Sequence, residues 1–411
     1  MSELTSISAS SIVSTSTTIA STSASDSRSM HFVGLDVHQK RSSICILDAN
    51  GKQVKRFEVK GHWPAVLAQI EQHVPRPFAI CYEASCGYGY LYQRLAPIAR
   101  QVSVAHPAPL ALIYKSKRKN DKVDAAKLAK LLYLDMVPQV HVPRADVRAW
   151  RALITFRHTL MNRRVGIKNQ IRALLRGLGI VAPSGKRLWS GKGITWLKEQ
   201  KLDESDALRR DLAAEELDEV NAKLKRVEKA LNQRADAHPG VTLLKTIPGV
   251  GVRTAEAIVA WIDDVTRFSR NKKVGSYFGL VPCQDASAAS NRLGHITRDG
   301  PAVVRKFLCE ASWRGIRQGG AIKSYFERVM RGDPDRKKIA LVATAHHLAR
   351  VMAAMLRTGE AWREPPAAAA PHDNARASAA QQERKALSEA VRTDGCADGE
   401  LASPPRKTAV A

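Results

Sequence analysis

The sequence predicts a mixed α/β fold for residues 30–142 and a mostly helical fold for residues 143–362. Three observations support this division. Short apolar runs alternate with amphipathic runs in the first segment, which is typical of strands and helices packed in layers. An Asn-Gly pair at residues 50–51 separates two of the apolar runs, as a hairpin turn does. The second segment has long stretches without proline, in which apolar residues recur every three or four positions.

The first segment is predicted to contain five strands and three helices. Three strands come first, in HFVGLDV and RSSICILDANGKQVKRFEV, and helices then alternate with strands in PAVLAQIEQHV, PFAICYEA, GYLYQRLAPIA and QVSVAHP. A last helix follows at about residues 122–134. Three strands followed by alternating helices and strands is the element order of the ribonuclease-H-like fold. We therefore predict a ribonuclease-H-like, RuvC-like catalytic domain at residues 30–142.

The helical segment divides into a middle part, residues 143–238, and a C-terminal part, residues 239–362. Two apolar stripes in the middle part predict paired helices, and the second stripe is spaced like a short coiled-coil seam. Either an antiparallel hairpin within the chain or a helix pair between subunits would bury both stripes. The first consists of Leu160, Ile167, Ile171, Leu174 and Leu178, and the second of Leu217, Val220, Leu224, Val227 and Leu231.

The C-terminal part opens with LLKTIPGVGVRTAEAIVAWI, which predicts a helix-hairpin-helix. Gly249 and Gly251 in its turn leave backbone N–H groups free to meet a phosphate at the start of the following helix. A plain helical turn is the alternative interpretation. We favour contact with a DNA backbone, because the Gly-Val-Gly turn leads directly into a helix.

The composition favours a soluble protein that binds a polyanion. The chain of 411 residues has 65 Lys and Arg residues against 39 Asp and Glu residues, a formal net charge of +26. Such an excess favours nucleic acid as the partner, because cations that neutralise phosphates release condensed counterions. The six scattered cysteines include no CxxC pair, which argues against a zinc site or a disulfide framework.

The two ends of the chain differ from its centre. Residues 1–29 are rich in Ser and Thr and residues 363–411 are rich in Ala and polar residues, so both are predicted to be disordered tails. Neither a secretory signal nor a membrane-spanning run is expected. We expect a cytoplasmic, nucleoid-associated bacterial protein.

Four carboxylates are the candidate metal ligands. Asp36 ends the first predicted strand and Glu83 ends the fourth, so both would lie at one rim of the sheet if these strands are neighbours. Asp121 and Asp124 are three residues apart and share one face of a helix. Hard oxygen donors suit Mg²⁺, with Mn²⁺ as the alternative, and the ion would polarise a scissile phosphate. Each acid alone could be a cap or a solvated residue, but the four together predict a site. Asp48 is assigned to turn chemistry instead.

Cations that would hold the phosphates of a substrate surround these acids. Five of them lie from Lys115 to Lys122, and the predicted helix over residues 144–178 is rich in arginine and nearly free of acids. A solvated basic face explains these charges less well than a bound polyanion does. The predicted nucleic-acid contacts are Lys117, Arg118, Lys119, Arg163, Arg164, Lys168, Gly249, Gly251, Arg292 and Arg298.

Three stretches, GLDVHQKRSSICILD, CYEASCGYGYLYQRL and KNDKVDAAKLAKLL, resemble the DEDD motif of a transposase family. This family includes Piv-type invertases and bridge-RNA-guided recombinases of insertion sequences. The stretch from LKTIPGVGVRTAEAIVA to GPAVVRKFLCEASW resembles its second domain. The resemblance extends over residues 31–360 and implies a metal site at Asp36, Glu83, Asp121 and Asp124. It also implies a serine nucleophile and a guide RNA from the ends of the element.

Ser287 matches the serine that the resemblance implies. Ala288, Ala289 and Ser290 follow it where glycine and lysine are usual, so this loop departs from the family pattern. A serine among small residues is often only a loop residue, and Ser290 is a rival for the same role. The nearby candidate phosphate clamps are Arg292, Arg298 and Lys306.

These observations predict a DNA transposase or site-specific recombinase with a Mg²⁺ site and a serine nucleophile. It would act on DNA as a dimer or tetramer, guided by an RNA. The first alternative is a metal-dependent, structure-selective nuclease like a junction resolvase, which would use water and form no covalent intermediate. The second is an architectural protein, which would bind DNA without metal and cut nothing.

Overall fold

The computed structural model describes residues 30–85, 87–113, 121–287 and 290–364. The chain divides into two compact units, with residues 1–153 in the first and residues 154–411 in the second. The predicted tails lie outside the described residues, apart from Arg363 and Glu364. The division of the ordered chain into three parts stays a prediction.

The first unit is built on a five-stranded mixed sheet. Its strand order is β3-β2-β1-β4-β5, with β1 antiparallel to β2 and parallel to β4. The expectation that the first and fourth strands are neighbours is therefore confirmed. The strands are β1 (His31–Val37), β2 (Arg41–Leu47), β3 (Gln53–Lys60), β4 (Phe78–Glu83) and β5 (Gln101–Ala105).

Helices cover both faces of this sheet, which confirms the mixed α/β prediction. Alternate residues of β1 and β2 point to opposite faces, and one set packs with residues of α1 and α2. The other set packs with α4, where Cys45 and Leu47 form a cluster with Ala125 and Ala129. The helices of this unit are α1 (Trp63–His73), α2 (Tyr88–Leu95), α3 (Pro107–Ile113) and α4 (Asp121–Tyr133).

The second unit is mostly helical. Helix α5 (Ala145–Gly177) begins in the first unit and continues into the second, and a β-hairpin interrupts the later helices. The remaining helices are α6 (Gly191–Glu199), α7 (Glu204–Asp236), α8 (Pro239–Leu244), α9 (Val252–Ile262), α10 (Lys272–Tyr277), α11 (Ala302–Gln318), α12 (Gly320–Met330) and α13 (Lys337–Thr358). The hairpin strands are β6 (Pro282–Ser287) and β7 (Ser290–Ile296), and 3₁₀ turns occur at Arg187–Trp189, Val265–Arg267 and Pro334–Arg336.

The two apolar stripes of the middle part pack against each other within the chain. Leu160, Ile167 and Ile171 of α5 share a buried cluster with Leu217 and Leu224 of α7. Two ion pairs fix the helices as antiparallel: Arg157 Nη2 lies 2.6 Å from Glu228 Oε1, and Arg163 Nε lies 2.6 Å from Glu216 Oε1. Of the two arrangements that the stripes allowed, the structure has the hairpin within the chain.

One member of the first stripe was assigned wrongly. Leu178 is exposed, because α5 ends at Gly177 and Leu178 lies beyond the last helical turn. Leu175 is buried in its place.

Replacing Leu224 by Lys should unfold this hairpin. Leu224 is 3% exposed, so the lysine would bring an unpaired charge between α5 and α7. The destabilisation should exceed the roughly 2–5 kcal/mol typical of Leu→Ala in a core, because the charge is also desolvated. Leu212→Lys is the matched control, since Leu212 is on the same helix and 56% exposed. Circular dichroism during chemical denaturation should separate the two variants, and equal stabilities would contradict the packing.

One stretch of the described chain, Pro334–Thr358, is long and apolar enough to cross a membrane. It contains α13, which packs against α10, α11 and α12. Ala345, Leu348, Ala349 and Met352 on this helix are buried. Because the core helix of a soluble protein passes the same test, we interpret α13 as the core of the second unit.

Candidate metal centre, serine hairpin and basic surface

Asp36 and Glu83 lie side by side at one end of the sheet. Strands β1 and β4 are parallel with Leu35 opposite Tyr82, so the next residues along the two strands, Asp36 and Glu83, stand at the same level. Side chains at matching positions of neighbouring strands point to the same face. Because Cys81, two residues before Glu83, packs in the cluster that contains α4 residues, both carboxylates are on the α4 face.

Helix α4 runs antiparallel to β1 across this face. A Cβ on Gly34 would lie only 2.0 Å from the Ala125 carbonyl oxygen, so a side chain there would collide with the helix. At the other end, the ring of Tyr133 lies 5.4 Å from the ring of Phe32. The N-terminal end of α4 therefore lies at the same end of β1 as Asp36.

Asp124 is brought to this end of the sheet by its position just before Ala125. Its carboxylate is partly buried, and Lys127 Nζ lies 2.9 Å from Asp124 Oδ1. Asp121 is the first residue of α4, one turn earlier. The side chain of Asp121 and the whole of Lys117, Arg118 and Lys119 lie outside the described part of the chain.

A histidine that the sequence reasoning missed contacts the first carboxylate. His38 Nε2 lies 3.2 Å from Asp36 Oδ2, and the His38 side chain is about half exposed. The only signal in the sequence was its place two residues after Asp36. The contact makes His38 part of the rim around the carboxylates.

The floor below the carboxylates is apolar. Burial raises the pKa of the Cys81 thiol to about 12, and it raises the pKa of Cys45 as well. These thiols are therefore neutral core residues and not nucleophiles. A low-polarity floor strengthens the electrostatic interactions of the charges above it.

Topology thus brings three of the four predicted acids to one end of the sheet. Among the side chains that the structure describes, no three His, Cys, Asp or Glu residues lie close enough to hold a metal ion. The Asp121 side chain is not among them. The metal ligand set at Asp36, Glu83, Asp121 and Asp124 stays a prediction.

The predicted serine loop is the tip of a β-hairpin. Ser287 is the last residue of β6 and pairs with Ser290, the first residue of β7. The sequence had indicated a loop around Ser287, and this is corrected by the pairing of β6 with β7. The two serines therefore lie opposite each other across the turn, and residues 288–289 lie outside the described residues.

Backbone contacts hold the base of this hairpin. Arg305 Nη1 donates hydrogen bonds to the carbonyl oxygens of Phe278, at 3.2 Å, and Gly300, at 3.1 Å, and also contacts the Asp299 carbonyl. Arg298 has a φ of +60°, and its N–H donates to the Gly279 carbonyl at 3.3 Å. The Arg292 and Arg298 side chains are both exposed, as expected of phosphate contacts.

The glycine turn between α8 and α9 has a packing role. Gly249 has a φ of +83°, and a Cβ there would lie 2.4 Å from the Gly315 nitrogen of α11. A Cβ on Gly251, which precedes α9, would lie 3.6 Å from Arg314 Nη1. The sequence reasoning missed Arg314, whose guanidinium lies beside the start of α9. Close packing explains Gly249 without a ligand, and phosphate contact at either glycine stays a prediction.

The cations of α5 fall into two groups. Arg157 and Arg163 are paired with glutamates of α7, so part of the charge of this helix is neutralised within the chain. Further along, Lys168 Nζ and the Arg172 guanidinium lie 4.7 Å and 5.1 Å from the centre of the Trp189 ring. Burial, followed by the charges of Arg164 and Arg172, lowers the pKa of Lys168. We call Arg164, Lys168, Arg172 and Trp189 the α5 basic cluster.

Two family models match separate parts of the chain. Residues 33–180 match the IS110-type DEDD domain, which is described as a transposase. Residues 241–327 match the domain described as "Transposase IS116/IS110/IS902 family". The first match contains all four predicted acids, and the second contains Gly249, Gly251 and Ser287.

Three relatives extend the similarity over most of the chain. The putative transposase y4qE of Sinorhizobium fredii is 26% identical over 69% of this chain and 71% of that protein. The transposase for insertion sequence element IS1111A of Coxiella burnetii is 23% identical over 82% of this chain and 92% of its own length. A probable family 20 transposase of Pseudomonas aeruginosa is 23% identical over 80% of this chain and 98% of its own length.

A DEDD domain followed by a second transposase domain defines the chain as a DNA transposase. It belongs to the IS116/IS110/IS902 family of insertion-sequence transposases. The resemblance inferred from the motifs is confirmed at the level of this family.

Proposed function

We propose that the chain cuts and rejoins DNA strands with a Mg²⁺-binding DEDD site and a serine nucleophile. Its first unit would be a ribonuclease-H-like, RuvC-like domain, for which the strand order β3-β2-β1-β4-β5 is the main support. The observation that carries the proposal is the convergence of Asp36, Glu83 and Asp124 at one end of this sheet.

The residues at this end suit a hard divalent cation. Carboxylate oxygens are the donors that Mg²⁺ and Mn²⁺ prefer, and β1, β4 and α4 each supply at least one of them. Asp36, Glu83, Asp121 and Asp124 would hold the ion. When bound, it would stabilise the charge that develops on a scissile phosphate.

Ser287 is the proposed nucleophile. Its hydroxyl oxygen would attack a DNA phosphorus, forming a phosphoserine bond and breaking the bond to one deoxyribose oxygen. That oxygen would leave as a hydroxyl and take up the proton that the serine loses. Reversal of the step by a different DNA hydroxyl would join new ends, because the phosphoserine ester conserves the energy of the broken bond. Arg292 and Arg298, both exposed near the hairpin, would clamp the phosphate.

Nucleic acid is the proposed partner, as DNA substrate and as guide RNA. The formal net charge of +26 and the α5 basic cluster support this partner class. Lys168 and Arg172 are held against the same indole ring with a third cation, Arg164, nearby, and a bound phosphate would relieve their mutual repulsion. The helix-hairpin-helix and α5 would supply further backbone contacts, and the active form would be a dimer or tetramer.

Removing charge from the α5 basic cluster should weaken nucleic-acid binding. For Lys168→Gln/Arg172→Gln, the slope of log affinity against log salt should fall by about one for each phosphate that the variant no longer neutralises. The matched control is Lys223→Gln/Arg209→Gln, since both of these α7 cations already pair with acids, Glu219 and Asp206. Fluorescence anisotropy of a labelled oligonucleotide at several salt concentrations measures the salt dependence of affinity for both double variants. Equal slopes for the two double variants would contradict the assignment.

The same purified proteins test the guide RNA. Nucleic acid that copurifies with the wild-type chain should include an RNA transcribed from the ends of the element that encodes it. Sequencing identifies it directly. Recovery of DNA alone, or of random cellular RNA, would contradict the guide RNA. It would not affect the proposed cleavage and rejoining of DNA.

A further inference from the structure

Ser43 is a buried hydroxyl beside the first carboxylate of the proposed metal site. It lies on β2 directly opposite Asp36 of β1 in the antiparallel register. Ser43 is 1% exposed, and its Oγ has no hydrogen-bond partner in the described part of the chain. An unpaired buried hydroxyl is destabilising, so its presence at this position needs a reason.

The sheet geometry directs this hydroxyl to the site. Opposed residues of an antiparallel pair point to the same face, with Cβ atoms about 4.5–5.5 Å apart. Cys45 and Leu47, two and four residues further along β2, pack with Ala125 and Ala129 of α4. Ser43 therefore faces α4 on the same side as Asp36.

The neighbouring serine serves as an internal comparison. Ser42 is also fully buried, but it points to the opposite face, where Ile44 and Ile46 pack with α1 and α2. Its Oγ donates a hydrogen bond to the His38 carbonyl at 3.5 Å. Two adjacent serines of nearly equal burial thus point to opposite faces of the sheet. The hydroxyl of Ser42 has a hydrogen-bond partner in the described part of the chain, and that of Ser43 has none.

Glu58 is the rival acceptor for the Ser43 hydroxyl. It lies on β3 opposite Ser43, so the row across the sheet reads Glu58, Ser43, Asp36. The Glu58 carboxylate already has a cation, since Arg41 Nη1 lies 3.4 Å from Glu58 Oε2. Asp36 is the acid of this row that belongs to the proposed metal site.

We propose that Ser43 is a positioning residue: when the metal binds, the Asp36 carboxylate accepts a hydrogen bond from the Ser43 hydroxyl, which holds it in the orientation that binds the ion. This inference rests on the proposed function, because it assumes that Asp36 is a ligand. Partners that orient a metal ligand typically change metal affinity about 10- to 100-fold when they are removed. Ser43 would act through Asp36 and touch neither the metal nor the DNA.

Binding of Mn²⁺ to the purified full chain tests this role, measured by the electron paramagnetic resonance signal of the free ion. Ser43→Ala should raise the dissociation constant about tenfold. Ser42→Ala should leave it unchanged, although it removes a hydroxyl of equal burial from the same strand. In chelator, Ser43→Ala should melt no earlier than wild type, because the hydroxyl it removes has no partner within the described part of the chain.

Asp36→Ala separates the two ways in which the experiment can fail. If Asp36→Ala keeps wild-type Mn²⁺ affinity, the proposed metal site itself is wrong. If Asp36→Ala loses Mn²⁺ binding while Ser43→Ala keeps it, only the positioning role is overturned. The Ser43 hydroxyl then donates to Glu58 or has a role only in folding. If Ser42→Ala weakens Mn²⁺ binding as much as Ser43→Ala does, the effect belongs to strand β2 as a whole, and the positioning role is also overturned.

Discussion

Asp36→Asn and Glu83→Gln should each abolish DNA strand cleavage by the purified transposase. Both changes keep the shape of the side chain and remove one charge, so the packing of α4 on the sheet should survive. A bound metal contributes several kcal/mol to stabilising the reacting phosphate, and its removal should slow cleavage by roughly a thousandfold or more. Asp124→Asn should have the same effect, and Asp121→Asn is predicted to follow it. Gel analysis of nicked and cleaved substrate measures the rate.

Asp48→Asn is the matched control for these variants. Asp48 is a carboxylate of the same sheet, but it lies in the turn between β2 and β3, at the opposite end from Asp36. Its Oδ1 accepts hydrogen bonds from the N–H groups of Asn50 and Lys52, both at 2.9 Å, which confirms its assignment to turn chemistry. Cleavage should continue at the wild-type rate in this variant. If two or more of the acid variants also retained that rate, the site would have to be elsewhere.

The sheet and the position of its acids could be predicted because the relevant signals are local. Strands β1, β2 and β4 of the first unit are apolar runs bounded by turn residues, and the element order limits the number of possible neighbours. The approach of α4 to the sheet depends on Gly34, whose lack of a side chain admits the Ala125 carbonyl. Nothing in the local sequence GLDV indicates that a helix approaches the strand at this glycine. The sequence therefore predicted that Asp36 and Glu83 share one end of the sheet, but not the helix contact that brings Asp124 to the same end.

The serine hairpin could not be predicted from its own residues. PCQDAS and SNRLGHI contain few of the β-branched and aromatic residues that favour strands, and their pairing arises from the contact between the two segments. Arg305, in the first turn of α11, holds the hairpin base through backbone carbonyls of residues before the helix, and no spacing pattern in the sequence predicts this contact. The pairing of Lys168 and Arg172 with Trp189 is equally non-local, since the indole comes from a turn beyond the end of α5.

The charges of α5 show why composition alone identified the partner class but not every contact. Arg163 was predicted to touch nucleic acid, yet it forms an ion pair with Glu216 across the helical hairpin. About half of the arginine side chain remains exposed, so the pair contributes little to stability and the contact with nucleic acid stays a prediction. A basic helix can therefore divide its cations between a partner helix and a polyanion, and only the three-dimensional arrangement separates the two uses.

Ser287→Ala should eliminate the covalent protein–DNA adduct without weakening DNA binding. The nucleophile must bring its oxygen within about 3–3.5 Å of the phosphorus, so removing that oxygen abolishes the reaction. Affinity should persist, because it comes mainly from phosphate contacts elsewhere in the chain. Ser290→Ala is the matched control, since Ser290 pairs with Ser287 across the hairpin and its replacement leaves β6 unchanged. Denaturing gels of a labelled, nicked substrate would report the adduct.

The position of the DNA remnant distinguishes the remaining possibilities. Mass spectrometry of the digested adduct should place it on the peptide that contains Ser287 and, after fragmentation, on that serine. A remnant on Ser290, or an adduct that persists in Ser287→Ala, would transfer the nucleophile to the other strand of the hairpin. Cleavage without any adduct in the wild-type chain would identify water as the nucleophile. The transposase would then use its carboxylates as a metal-dependent nuclease, because the same acids can activate water as well as a serine hydroxyl.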